Sequence, residues 1–308
     1  MSKRKTRKYA TIMIIFFVIA GLLGVFTANY LSGLFFGQGI VIESMDKVVD
    51  GKVNFLVLGV DDGGLRSDTM MLASLDSKTG KVTIVSIPRD TRVLMGNYHA
   101  KINSAIGVGE QQVKKGRLEQ PEEYPIAMVK SLLDDIPINY FATVDFDGFI
   151  EIMDILGGVD YDVPINMHYE DPEQDLYIHL DKGFQHLDGK ACHDFVRFRM
   201  GYPTGDIGRV EAQQGFIKEV IKQKVTPLNI AKSGAIFSAA SKYVRTNFTA
   251  LDLASMLPVL GKIDTENVET VQLPGEAYYV GGVSYFICDE IAATELAREI
   301  MSTDATVK

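Results

Sequence analysis

The chain has 308 residues, 40 acidic side chains against 31 basic ones, a formal net charge of −9 and 46% hydrophobic residues, room for one large domain or two small ones. The acidic balance argues against nucleic acid as a partner. Five histidines without a His-Glu-x-x-His pair, and two cysteines without a Cys-x-x-Cys, argue against zinc chemistry and a disulfide framework. No Gly-x-x-x-x-Gly-Lys-Ser/Thr or Gly-x-Ser-x-Gly occurs, so neither a P-loop ATPase nor a lipase-type serine enzyme is indicated.

The chain opens on a basic tail, residues 1–9, with Lys3, Arg4, Lys5, Arg7 and Lys8. Residues 10–31 carry no charge. At ~1.5 Å rise, about 22 residues span ~33 Å, enough for a bilayer core of ~30 Å. A cleaved signal peptide would have a shorter apolar region of about 7–15 residues. The expectation is therefore one transmembrane signal anchor, with a cytoplasmic N-terminus and the rest of the chain extracellular. There Cys192 and Cys288 could form a disulfide that folding does not require.

Residues 32–51 read as a stalk. Val53 to Val60 is a compact apolar run, a buried strand. Thr69–Leu75 and Val82–Ile87 pair as a hairpin through the turn residues 76–81, and Pro88 stops the ladder. Gly107 to Tyr124 reads as a polar surface excursion. A helix from Pro125 to about Leu133, a strand Tyr140–Val144 and a helix Phe146–Leu156 ended by Gly157-Gly158 follow. Val159–Val163 and Leu176–Leu180 are further strands, and Asp188 caps a helix to about Val196. Ile207–Val225 is the longest amphipathic helix, with more helices at 229–241 and 251–263, the latter opened by the capping-box-like Thr249-x-x-Asp252. Val268–Leu273 and Ser284–Ile287 are strands, and Asp289–Met301 is the final helix. Mixed strands and helices without a second linker predict an α/β fold: a three-layer α/β/α domain with a central mixed sheet over 52–302, and a short tail, 303–308.

Charged motifs gather at the predicted strand ends: Gly59-Val60-Asp61, Arg66-Ser67-Asp68-Thr69, Ile87-Pro88-Arg89-Asp90-Thr91 and Lys101-Ile102-Asn103. A rigid sheet commonly presents functional groups there. Arginine forks match phosphate oxygens, and two carboxylates with phosphate and water suit magnesium. Arg197 and Arg199 stand together with no nearby acidic run, and Arg209 and Gln213 lie one helical turn apart above the apolar Phe216 and Val220. Each motif alone is compatible with ordinary charged turns or surface ion pairs; together they point to a polyanion site with a metal.

These stretches, with Gly157-Gly158-Val159-Asp160-Tyr161-Asp162-Val163-Pro164, Leu187-Asp188-Gly189-Lys190-Ala191, Phe195-Val196-Arg197-Phe198-Arg199 and Gly205-Asp206-Ile207-Gly208-Arg209, make the chain resemble the LytR-CpsA-Psr family of cell-wall glycopolymer ligases over nearly its whole length. One departure is Ala212-Gln213-Gln214, where members often read Arg-Gln-Gln. The resemblance implies a phosphotransferase outside the cell. It would move a glycopolymer, such as teichoic acid or capsular polysaccharide, from a polyprenyl pyrophosphate carrier onto the 6-hydroxyl of N-acetylmuramic acid in peptidoglycan, releasing polyprenyl phosphate. Hydrolysis of the same lipid, or a non-enzymatic lipid-binding regulator of the envelope, are the alternatives. By matching position, Asp61 and Asp68 are the metal candidates, for Mg2+ or else Mn2+. Arg66, Arg89, Lys101, Arg197, Arg199, Arg209 and Gln213 are the pyrophosphate candidates. Arg89 and Asp90 are the catalytic candidates, Asp90 as a base or as an arginine-orienting group.

Overall fold

The computed structural model describes residues 46–61, 63–172, 176–198, 200–203, 206–224, 243–249, 251–252, 255–256, 259, 262–263 and 267–302. The basic tail, the expected span at 10–31, the expected helix at 229–241, part of that at 251–263 and the tail 303–308 lie outside them. No helix among the described residues is long and apolar enough to cross a membrane.

In chain order the strands are β1 (Lys52–Val60), β2 (Ser67–Asp76), β3 (Val82–Ser86), β4 (Arg92–Met95), β5 (Tyr98–Lys101), β6 (Tyr140–Val144), β7 (Val159–Val163), β8 (Met167–Asp171), β9 (Leu176–Leu180), β10 (Gly183–Leu187), β11 (Val244–Thr246), β12 (Val268–Gln272), β13 (Gly275–Val280) and β14 (Val283–Cys288). The helices are α1 (Ala105–Lys114), α2 (Glu123–Leu132), α3 (Phe146–Ile155), α4 (Gly189–Arg197), α5 (Asp206–Lys224) and α6 (Glu290–Met301). Contacts gather them into two compact units interleaved in sequence. One is built mainly from Phe146–Val244 and Thr249–Asn267, the other mainly from Ile40–Asp145, Arg245–Phe248 and Val268–Lys308. We call them the ribbon unit and the sheet unit.

The sheet unit holds a six-stranded mixed sheet in the order β11-β6-β1-β2-β3-β12. β1 runs antiparallel to β2 and parallel to β6; β2 is antiparallel to β3, and β3 is parallel to β12. β1 lies inside because its side chains are apolar on both faces, as expected of a central strand. Leu56, Leu58 and Leu72 pack with Ile106 of α1, Val129 of α2 and Ala293, Ala297 and Ile300 of α6. The pleat turns Phe55 to the other face, where its ring stacks on Tyr140 at 5.1 Å and meets Phe248 at 5.5 Å. Removing a ring so fully buried costs about 3–5 kcal/mol. The β2–β3 turn is capped by Asp76, whose Oδ1 accepts from the backbone of Lys78 at 2.8 Å and of Thr79 at 3.2 Å.

The ribbon unit has two two-stranded ribbons, β7–β10 and β8–β9, with α3, α4 and α5. Gly157 and Gly158, at φ 72 and 57, end α3 as expected. Phe195 and Phe216 stack at 4.9 Å, with Tyr161 edge-on to both. Asp188 caps α4 through the Ala191 N–H at 2.8 Å. The Thr249/Asp252 capping box forms: the Asp252 carboxylate accepts from the Thr249 N–H at 2.8 Å, and the Thr249 hydroxyl accepts from the Asp252 N–H at 3.3 Å.

The structure corrects the sequence reading at residues 107–124. This stretch is not all loop: α1 occupies its first part and buries Gly107 and Gly109, while residues 114–117 are exposed. Two glycines hide the helical signal, since each lowers helix propensity by about 1 kcal/mol. They stand there because α1 approaches other backbone closely, Gly107 against the Leu65 carbonyl and Gly109 against that of Pro121. Strands β4, β5, β8, β10, β11 and β13 also went unread. Cys192 and Cys288 are both free thiols, so no disulfide joins them. Burial, then neighbouring acidic charge, raises both, Cys288 to about 11 and Cys192 further.

Candidate functional site

The end of β1, the start of β2 and the end of β3 lie at one end of the sheet, because these three strands run antiparallel in turn. Asp61 closes the short β1–β2 loop. Its N–H donates to the Arg66 carbonyl at 3.0 Å, and its Oδ1 accepts from the backbone N–H groups of Leu65 at 2.9 Å and Arg66 at 3.1 Å. Val60 then faces Ser67 while Gly59 faces Thr69, so Asp68 is the extra residue of a β-bulge. A bulge re-aims its side chain. The Asp68 carboxylate receives Nη1 of Arg89 at 2.8 Å.

Arg89 follows Pro88, whose ring ends β3. The Thr91 N–H donates to the Pro88 carbonyl at 2.9 Å, and the Asn103 N–H donates to that of Arg89 at 3.1 Å. Lys101, at the end of β5, places Nζ 2.9 Å from Oδ1 of Asp90. The structure therefore gathers Asp61, Arg66, Asp68, Arg89, Asp90 and Lys101 at this sheet end, and it pairs Asp68 with Arg89 and Asp90 with Lys101. Both ion pairs are about one-third exposed. Such pairs contribute only about 0–1 kcal/mol to stability. Each pair holds its cation in a fixed, partly exposed position.

In the ribbon unit, Arg197 is the last residue of α4. Its guanidinium carbon lies 4.6 Å from the centre of the Phe146 ring, a cation–π contact. Phe146 in turn meets the ring of buried His193 edge-on at 5.2 Å. Gln213 on α5 donates from Nε2 to the Val196 carbonyl at 2.9 Å, tying α5 to the end of α4 beside Arg197. Phe216 and Val220 below it are buried, as their spacing predicts. The Ala212 carbonyl accepts from the Tyr161 hydroxyl at 3.2 Å. Burial first, then the Tyr202, Glu219 and Asp162 charges, push that phenol up to about 12, so it stays neutral and donating. Arg199 and the side chain of Arg209 lie outside the described residues.

Asp61 and Asp68 offer carboxylate oxygens, the ligand type magnesium selects. No group of three or more His, Cys, Asp or Glu side chains is placed to hold a metal among the described residues. Phosphate oxygens and water would therefore complete the shell, the usual arrangement for magnesium.

Two supporting residues escaped the sequence reading. Phe146 pairs with an arginine 51 positions away, and no local spacing reports that contact. Gly107 lets α1 seat the 61–66 loop: a Cβ there would stand 2.7 Å from the Leu65 carbonyl oxygen. Its signal was a glycine inside an otherwise helical pattern.

The model of the LytR_cpsA_psr family matches residues 38–301. The polyisoprenyl-teichoic acid–peptidoglycan teichoic acid transferase TagU of Bacillus cereus is 32% identical over 254 residues, 80% of this chain and 77% of its own. TagV of Bacillus subtilis, named for the same transfer, is 30% identical over 249 residues, 77% of this chain and 61% of its own. The crystal structure of B. subtilis TagV superposes with a TM-score of 0.66 at 28% identity, covering 82% of this chain and 98% of that one.

Proposed function

The chain belongs to the LytR-CpsA-Psr family, and from that premise we propose that it is a phosphotransferase that moves a glycopolymer from a polyprenyl pyrophosphate carrier onto peptidoglycan. The observation that carries this reading is the sheet end, where Asp68 holds Arg89 and Asp90 holds Lys101 beside the Asp61 loop. Two cations, each held by a carboxylate, with the further carboxylate of Asp61 suit a pyrophosphate that arrives with a divalent ion.

In the reaction, a peptidoglycan hydroxyl, which we assign to the 6-position of N-acetylmuramic acid, attacks the phosphorus that bears the polymer. The new phosphorus–oxygen bond forms as the bond to the polyprenyl phosphate oxygen breaks. The hydroxyl proton leaves with the departing phosphate or to water. Such transfers depend on positioning and charge rather than on a strong base. Arg89 and Arg66 neutralise the equatorial oxygens and the leaving phosphate. Asp90 acts by positioning Lys101 rather than as the proton acceptor. The family resemblance alone assigns Arg197, Arg199, Arg209 and Gln213 to phosphate binding; within the ribbon unit, Phe146 holds Arg197. Asp61 and Asp68 would hold Mg2+, which, when bound, offsets charge on the transferred phosphoryl group.

The proposal includes the N-terminal membrane span at 10–31, an extracellular catalytic region and a three-layer arrangement around the sheet. The basic tail and the uncharged stretch behind it support the span. A lipid-linked substrate stays in the bilayer, so an anchored enzyme meets it by diffusion in two dimensions.

The test uses the full-length protein with a polyprenyl pyrophosphate-linked glycopolymer, peptidoglycan and magnesium. The expected product is polymer joined to glycan by a phosphodiester, with polyprenyl phosphate released. Release of polymer phosphate into solution, with none joined to glycan, would instead establish a hydrolase.

A further inference from the structure

The β8–β9 ribbon carries two histidines that no part of the proposed reaction uses. Its strands pair antiparallel with His168 directly opposite His179. One face is apolar and buried, through Met167, Leu176, Ile178 and Leu180. A slip of one residue would turn that whole set outward. The register is therefore locked, and both imidazoles stand on the outer face as fixed neighbours, with ring centroids 5.9 Å apart. Two imidazoles sharing a tetrahedral ion through nitrogens ~2.0–2.1 Å from it place their centroids roughly 5.2 Å apart, so this pair needs a rotamer adjustment of under about 1 Å to close on one.

The flanking residues add a second, independent feature. Nε2 of His168 lies 3.3 Å from the Asp181 carboxylate, and Nε2 of His179 lies 3.2 Å from that of Glu170. A carboxylate this close to Nε2 favours a proton on that nitrogen by charge, which would leave Nδ1 with its lone pair for a metal. Both histidines have this arrangement, each served across the ribbon by the opposite strand. The side chains are about half exposed, 53% and 54%, so an ion can enter without displacing the core.

From this juxtaposition we infer that His168 and His179 form a two-imidazole site for a divalent transition-metal ion such as Zn2+, with Glu170 and Asp181 as its orienting carboxylates. No preformed cluster of three or more such groups exists among the described residues, so water supplies the rest of the shell. Affinity is correspondingly moderate. Imidazole selects zinc, nickel and copper over magnesium, which prefers oxygen ligands. The site is separate from the Asp61/Asp68 pair in chemistry and does not rest on the proposed transfer reaction. It binds an ion on a ribbon and implies no zinc catalysis. Sequence reading missed it because the two histidines come from different strands, eleven positions apart, and only the strand register makes them neighbours.

The test is calorimetric titration of ZnCl2 into the untagged full-length protein in detergent, with millimolar MgCl2 present throughout to occupy hard-cation sites. The expected result is saturable binding of one Zn2+ per chain in the micromolar range. His168→Ala and His179→Ala should each weaken it at least about tenfold, and Glu170→Gln with Asp181→Asn should weaken it within the ~10- to 100-fold range of orienting partners. His186→Ala, at the other exposed histidine–carboxylate pair (His186 with Asp160, 2.8 Å), should leave it unchanged. All are surface substitutions, and circular dichroism checks that each variant keeps its fold. No saturable zinc binding, zinc binding retained in the His168→Ala/His179→Ala double variant, or equal loss in His186→Ala would each overturn the inference.

Discussion

Arg89 is held at the sheet end by Asp68 at 2.8 Å, yet the pair is partly open to solvent. Arg89→Ala should therefore separate function from folding. Loss of one charge-assisted phosphate contact should cost roughly 2–4 kcal/mol of transition-state stabilisation, or about 30- to 1000-fold in rate. Thermal unfolding should shift by no more than the ~1 kcal/mol such a pair contributes. Arg89→Lys should recover little, because an ammonium lacks the bidentate fork. Ligation at wild-type rate by Arg89→Ala would remove Arg89 from the site. Asp61 calls for a different substitution. Its Oδ1 holds the loop through two backbone N–H groups. Asparagine keeps an oxygen acceptor there and loses only the charge. Asp61→Asn should thus raise the magnesium concentration needed for half-maximal ligation, with partial rescue by added magnesium, while unfolding stays close to wild type. An unchanged magnesium dependence would take Asp61 out of the metal site. The charged residues at this sheet end were legible in the sequence as motifs at strand ends. The pairing of Asp68 with Arg89 was not, because it depends on a bulge that exists only once β1 and β2 are in register.

Elements were legible where a segment's own periodicity decides its structure. β1, the β2–β3 hairpin, α3 and α5 follow from apolar runs, turn residues and caps. α1 failed that reading because its glycines answer to neighbours rather than to the helix. Gly107→Ala gives the matching test. Helix propensity alone would stabilise the change by about 1 kcal/mol. The new Cβ would stand 2.7 Å from the Leu65 carbonyl, a backbone atom that cannot swing away. Overpacking of this kind typically costs about 1–3 kcal/mol. The clash should win, so the variant should be less stable to urea and, by moving the 61–66 loop, less active. A gain in stability would show that the loop yields freely. The β2–β3 turn supports a pH expectation. Burial favours the neutral form of Asp76, but the Lys78 N–H, the Lys52 ammonium and the Thr79 N–H outweigh it, and its carboxyl lies below its ordinary value of 3.8. A depressed folded value means the stabilisation is present above about pH 4 and is lost as pH falls through the folded value. The stability gap between wild type and Asp76→Asn should be widest near neutrality and close in acid. A gap independent of pH would assign Asp76 a purely steric role.

Across the whole molecule, the course of the chain was the least legible feature. After the ribbon unit the chain returns to complete the sheet, where Asn247 accepts from the Phe141 N–H at 2.9 Å and donates to the Asn139 carbonyl at 3.0 Å. Those partners lie more than 100 residues apart, and no local pattern reports such a closure. The opposite holds for the N-terminus, where composition alone carries the argument. Five basic side chains precede an uncharged stretch long enough to cross a bilayer at ~1.5 Å per residue. Positive charge tends to stay on the cytoplasmic side, and the proposed topology accordingly puts everything after the span outside. If the span persists in the mature protein, protease added to intact cells should digest the large C-terminal region and leave a small membrane-held fragment containing the basic tail. Permeabilised cells should lose that tail as well. Deleting residues 1–31 should release the protein from membranes. It should also lower ligation of membrane-borne substrate far more than ligation of a short-chain, water-soluble analogue, because only the former depends on meeting the lipid in the bilayer. A mature N-terminus beginning after Ala28 would refute the anchor, and equal loss on both substrates would mean that the segment serves folding rather than substrate encounter.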